Sequence, residues 1–142
     1  PDFTLIDNSL KPVKLSDFKG KIKLLSIFPS IDTSVCSIQN RKFNQEASAF
    51  GNSVAFLAIS VDLPFALKRF CGAEGISNLV TLSDHRDIDF GKKYGFLVNE
   101  LRILARGVVV LDKGDKVRYV EILDEIAHEP NYDAALSMLK SI

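Results

Sequence analysis

A chain of 142 residues, 46% hydrophobic and 25% charged, has the make-up of a soluble globular protein large enough for one proper core. Its 18 basic and 18 acidic residues cancel, which excludes the broad electrostatic footprint of a nucleic-acid or anionic-membrane binder. No apolar run approaches the roughly 20 residues of a membrane helix. "PDFTLIDNSL" has neither a basic start nor a long apolar stretch, so a cytoplasmic location is expected. Because residue 1 is Pro and not Met, a trimmed N-terminus is expected too.

In chain order, "FTLI" and "VKLS" flank "DNSLKP" and predict a small hairpin. "KIKLLSIF" (Lys21 to Phe28) has the nearly continuous apolar run of a central strand buried on both faces. A helix follows from about Ser34 to Phe50, with Val35, Ile38, Phe43, Ala47 and Phe50 as its apolar stripe and Gly51 as its stop. "VAFLAISV" (Val54 to Val61) is a second buried strand. Asp62 and Pro64 mark the start of a helix through "FALKRFC". "LVTLS" (Leu79 to Ser83) is a third strand, followed by a short helix around Asp87 to Tyr94. "ILARGVVVLDKGDKVRYVEIL" has the pattern of a hairpin around "DKGD". "NYDAALSMLKSI" closes as a helix with Asn131 as its cap. Strands alternating with helices, plus a late hairpin, predict a mixed central sheet covered on both faces: a thioredoxin-like α/β domain spanning 1–142.

Two cysteines make no disulfide scaffold. Cys36 and Cys71 form no C-x-x-C pair, and with His85 and His128 they offer no zinc spacing. What remains is two inert buried thiols or one reactive thiol, with or without a partner. Cys36 lies at a strand-to-helix junction, at the carboxyl end of its strand, where open α/β sheets build sites. If Asp32 or Thr33 caps the helix, Cys36 sits in its first turn, where unpaired amides and the macrodipole favour the nucleophilic thiolate. Pro29 stiffens the loop, and the Thr33 hydroxyl can donate to the sulfur or to an oxygen beside it. Arg106 is the candidate cation. Alternation places it on one face with Leu104, Val108 and Val110, so it is expected either at the sheet's end or paired with an anion, because an unpaired buried charge is costly. Gly107 beside it permits close approach by other atoms. The plain alternative is that Cys36 is a small buried hydrophobe.

"PSIDTSVC" fits Pro-x-x-x-Thr-x-x-Cys and resembles the active-site signature of the peroxiredoxins. Together with "SVDLPFALKRFCGAEGI", "LVTLSDHRD" and "ILDEIAHEPNYDAAL", in that order, it is similar to the bacterial thiol peroxidase branch of that family over essentially the whole chain. The resemblance implies a peroxiredoxin fold and a peroxidase reducing hydrogen peroxide and organic hydroperoxides. It implies Cys36 as the peroxidatic thiol, Pro29 shielding it, Thr33 orienting the peroxide and Arg106 holding the thiolate and peroxide oxygens. Cys71 matches the resolving cysteine of the same subunit, thioredoxin the reductant, and a homodimer the assembly. No metal or organic cofactor is implied. The family usually carries an extra hairpin before "PDF". Bridging two cysteines needs Cα atoms within roughly 4.4–6.8 Å, so helix ends around Cys36 and Cys71 are expected to unwind locally.

The rival functions are a thioredoxin-like disulfide carrier, which would want a C-x-x-C pair, and a non-catalytic binding domain. His85 and His128 are expected in solvated turns, the phenylalanines at 43, 50, 56, 65, 70 and 90 in the core, and "KGDK" on an ordinary charged surface. Asp32 is expected as a cap and not an acid, since its charge would oppose ionisation of a nearby thiol.

Overall fold

Two short antiparallel strands, β1 (Thr4–Ile6) and β2 (Pro12–Lys14), open the computed structural model, which describes residues 2–32, 34–123 and 128–142. Their turn is tied by Asp7, whose carboxylate accepts the Ser9 and Lys11 amides. The centre of the sheet is β3 (Ile22–Ile27) beside β4 (Val54–Ser60), parallel to one another with Leu24 opposite Phe56. Every residue of both strands is buried, as their continuous apolar runs require of strands covered on both faces. β5 (Val80–Ser83) pairs parallel with β4 and receives β1 antiparallel through Ile6 and Ser83. On the other side, β8 (Gly107–Leu111) runs antiparallel to β3, and β9 (Val117–Ile122) forms the edge. The order is β2-β1-β5-β4-β3-β8-β9, a mixed sheet of thioredoxin-like type.

Period-two alternation divides the core between the two faces. Ile22 and Leu24 of β3 point toward α1 (Ser34–Ala47), α2 (Pro64–Glu74) and α4 (Tyr132–Ser141), which contribute Phe43, Leu67 and Leu136. Leu25 and Ile27 point the other way, toward α3 (Asp89–Tyr94) and the N-terminal segment. There the Phe90 ring stacks on Tyr94 at 4.6 Å and meets Phe3 edge-on at 5.4 Å. Leu24, Leu25 and Ile27 have no exposed surface, and burial of each such side chain contributes about 1.5–3 kcal/mol.

Several expectations need correcting. The buried stripe of α1 is Cys36, Gln39, Asn40, Phe43 and Ala47, while Ile38 is exposed; two amides occupy core positions because they have buried partners, described below. The helix ends at Ala47, and Gly51 begins a separate 3₁₀ turn. The start marked by Asp62 and Pro64 holds: α2 begins at Pro64, with Leu63 in the cap position. Leu104 does not share a face with Val108 and Val110. It belongs to β7 (Ile103–Leu104), which pairs with β6 (Leu97–Val98) in a separate ribbon, and Ala105 and Arg106 lie between strands, so the alternation breaks there. Phe65 is 66% exposed. Asp115, in "KGDK", takes the ammonium of Lys23, which is fully buried within β3; a lysine is tolerated there because its charge is paired. Asn131 caps α4 as expected, its side chain accepting the Ala134 amide at 3.1 Å.

Candidate active site

β3 ends at Ile27, and the chain reaches α1 through a short loop whose Pro29 is buried. The loop is held from the end of β4. Asp62 accepts the Ser30 hydroxyl at 2.9 Å, the Ile31 amide at 2.7 Å and the Ser60 hydroxyl at 2.7 Å. The role of Asp62 is thus to fix the approach to α1, and short charge-assisted bonds of this kind are among the stronger ones available. Cys36 is the third residue of α1, in its first turn, with no exposed surface. Its carbonyl accepts the Asn40 side-chain amide at 2.8 Å. Thr33 lies outside the described residues. Asp32 is exposed, 3.7 Å from Arg69.

Arg106 is buried to 1% exposure, and its backbone carbonyl accepts the Leu123 amide at 2.8 Å. Nη1 donates to Gln39 Oε1 at 2.8 Å. The other end of the Gln39 amide donates to Ser26 Oγ at 2.7 Å and to the Ile27 carbonyl at 3.2 Å. Gln39 follows Cys36 by one helical turn, so the two side chains are neighbours on α1. An uncharged amide therefore positions the guanidinium without cancelling its charge. Gly107 explains why the next strand can close in: a Cβ there would stand 2.1 Å from the Glu121 carbonyl oxygen and 2.7 Å from the Phe96 ring.

Tyr132, at the start of α4, completes the surroundings. Its ring meets Phe43 edge-on at 5.3 Å, and its hydroxyl donates to Glu129 at 2.7 Å. Burial, then Glu129, pushes the phenol well above its ordinary range; Arg106 opposes the shift and Cys36 adds to it. Tyr132 packs against the same core cluster as Cys36, and Arg106 is tied to Gln39 one helical turn along α1 from that cysteine.

Cys71 sits in the second half of α2, half-buried against the same core cluster as Cys36. No disulfide joins the two thiols. A groove between the helices, lined by Ile31, Ser37, Arg41, Phe70 and Ala73, runs along both cysteine-bearing elements, and Arg41 pairs with Glu74 at 2.5 Å across it. The structure therefore assembles Cys36, Arg106 and Pro29 at one junction and puts Cys71 on the adjoining helix. His85 stands apart, its Nδ1 2.8 Å from Ser83 Oγ, and His128 is exposed. Among the described residues no three of His, Cys, Asp and Glu gather as metal ligands. Gln39, Asp62 and Tyr132 were not legible as site residues. The one signal for Gln39 was a polar side chain one turn from a cysteine at helix spacing.

A mixed thioredoxin-like sheet, with a buried thiol in the first turn of a helix and a buried arginine behind it, defines a thiol protein of peroxiredoxin fold. The sequence comparisons agree: the chain belongs to the redoxin family, whose profile matches residues 1–136. It falls with the thiol peroxidases of that family. It is 56% identical over 139 residues to the thiol peroxidase of Oceanobacillus iheyensis, covering 98% of this chain and 84% of the relative. It is 53% identical over 142 residues to that of Staphylococcus epidermidis, covering 100% and 85%. A crystal structure of a peroxiredoxin-like protein from Aquifex aeolicus superimposes with a TM-score of 0.90 at 36% identity, covering 100% of this chain and 84% of that one.

Proposed function

We propose that this chain is a peroxidase that reduces hydrogen peroxide and organic hydroperoxides through Cys36. The thiolate attacks the peroxide O–O bond. One oxygen stays on sulfur as a sulfenic acid, and the other leaves and takes a proton as alcohol or water. Charge moves from sulfur to the departing oxygen, so preorganised donors along that path lower the barrier. The guanidinium of Arg106, the first-turn amides and the Thr33 hydroxyl are the proposed donors, and Pro29 shields the thiol. The observation that carries this reading is a buried thiol in a helix's first turn, one turn from the neutral Gln39 that holds a buried arginine.

Cys71 then attacks the sulfenic acid, releasing water and forming an intrachain disulfide. Cys36 is fully buried, and the Cys71 carbonyl accepts the Gly75 and Ile76 amides at the end of α2. Both helix ends must open for the sulfurs to meet, a local transition of low cost. A dithiol protein of the thioredoxin type restores the thiols by exchange. We assign a cytoplasmic location, where such reductants operate. No described helix is long and apolar enough to cross a membrane. A homodimer is the assembly proposed, supported by the resemblance and by exposed Ile38 on α1 and Leu63 and Phe65 at the start of α2. A disulfide carrier is disfavoured because the second position of a C-x-x-C pair is occupied by Gln39, engaged with Arg106.

Peroxide consumption coupled to thioredoxin and its reductase tests the reading. Wild type should turn over, Cys36→Ser should be inactive, and Cys71→Ser should stop after the first turnover. Unchanged turnover in both variants would leave only a non-catalytic role for the two cysteines.

A further inference from the structure

The second thiol lies at the end of a hydrogen-bond chain with a definite direction. Cys71 Sγ is 3.7 Å from Thr81 Oγ1 on β5, and that oxygen is 2.9 Å from Asn8 Oδ1 in the β1–β2 turn. A threonine hydroxyl has one proton to give, and an amide oxygen only accepts. The Thr81 proton therefore goes to Asn8, and Thr81 turns lone pairs toward the sulfur. A protonated Cys71 completes the contact by donating its S–H, whereas a thiolate would face another lone pair. Thr81 is only 4% exposed, so solvent cannot readily replace either bond.

We propose that Asn8 and Thr81 are positioning residues that hold Cys71 as a hydrogen-bond-donating thiol in the folded protein. The nucleophile for the second step is then released only when the end of α2 moves away from β5. This rests on the assignment of Cys71 as the resolving thiol. It gives the N-terminal hairpin a part in the chemistry: its turn sets the proton direction at a sulfur on α2 through one shared hydroxyl of β5. It also gives the half-buried Cys71 a reason not to be consumed by peroxide before Cys36 has reacted, since the thiolate is the reactive form.

The test uses a Cys36→Ser protein, in which Cys71 is the sole thiol, and measures its alkylation rate by iodoacetamide at neutral pH. Asn8→Leu removes the acceptor and frees the Thr81 hydroxyl to turn and donate to sulfur. Alkylation should rise about fivefold or more, the scale of one hydrogen bond. Asn8→Asp keeps an acceptor and should be no faster than the parent. In a Thr81→Val background, Asn8→Leu should have no effect, because the hydroxyl that transmits it is gone. Asn8→Ala, a smaller truncation, reads the same quantity if leucine disturbs the turn. The proposal is overturned by an unchanged rate in both Asn8→Leu and Asn8→Ala, by acceleration in Asn8→Asp, or by acceleration that persists with Thr81→Val, as simple loosening of the hairpin would give. Alkylation needs no peroxide, so its outcome is separate from the peroxidase assay.

Discussion

Replacing Gln39 with glutamate keeps the shape of the side chain and puts a full negative charge where Arg106 now meets a neutral oxygen at 2.8 Å. Side chains one turn apart on a helix are about 5–6 Å from each other at Cβ. At about 6 Å, with an effective dielectric near 20, a new carboxylate opposes a thiolate at Cys36 by about 3 kcal/mol. It also draws onto itself the guanidinium charge meant for the site. The second-order rate with hydrogen peroxide, followed by stopped-flow fluorescence or competition, should fall by about 10- to 100-fold. The substitution also removes the donors to Ser26 and to the Ile27 carbonyl, at a cost of about 1–3 kcal/mol in stability, so thermal melting accompanies the kinetics. Gln39→Leu removes the acceptor without adding charge and should lose less rate than Gln39→Glu. A folded Gln39→Glu protein reacting within about twofold of wild type, or equal losses in the two variants, would refute the argument that neutrality at this position matters.

Other consequences are read by different assays. Gly107→Ala should destabilise by about 1–3 kcal/mol, because its Cβ would meet backbone and not a yielding side-chain tip; urea denaturation with an unchanged midpoint would contradict this. Asp84 is buried under α3, accepting the Phe90 and Gly91 amides at 3.1 and 2.8 Å. Burial pushes its carboxyl up from 3.8 to about 6 despite those amides. The folded protein binds this proton more tightly than the unfolded chain does, so the contribution to stability is fully present below 3.8 and is lost as pH rises through about 6. Unfolding free energies of wild type and Asp84→Asn across that window should therefore diverge in the variant's favour as pH rises, and a constant difference would refute the linkage.

The central strands and all four helices were plain in the sequence, because long apolar runs, helical periodicity and cap residues report directly on burial and on helix ends. Cys36, Pro29 and Arg106 stood out as a cysteine and a proline at a strand-to-helix junction and an arginine in an apolar stretch, and all three are buried, although Arg106 lies between strands and not on the aliphatic face expected for it. What holds them was not. Gln39 and Asn40 replace apolar residues in the buried stripe of α1, so a search for apolar periodicity slid the stripe onto Val35 and exposed Ile38. Asp62 marks the start of α2 in the sequence, yet its carboxylate turns back to the loop before α1. Lys23 and Asp115 are 92 positions apart, and their pairing follows only from the β8–β9 turn folding over β3. The strands β6 and β7 have two residues each, too few for any period to register. Local pattern reports burial; who satisfies a buried polar group is decided by topology.

Peptide-mapping mass spectrometry of reduced protein treated with one equivalent of hydrogen peroxide is the most direct check on the chemistry assigned to Cys36. The expected product is a single intrachain Cys36–Cys71 disulfide, and in Cys71→Ser a sulfenic acid on Cys36 that can be trapped by a dione reagent. Peroxide-treated protein in which Cys36 remains an unmodified thiol while Cys71 or other residues are oxidised would contradict the account.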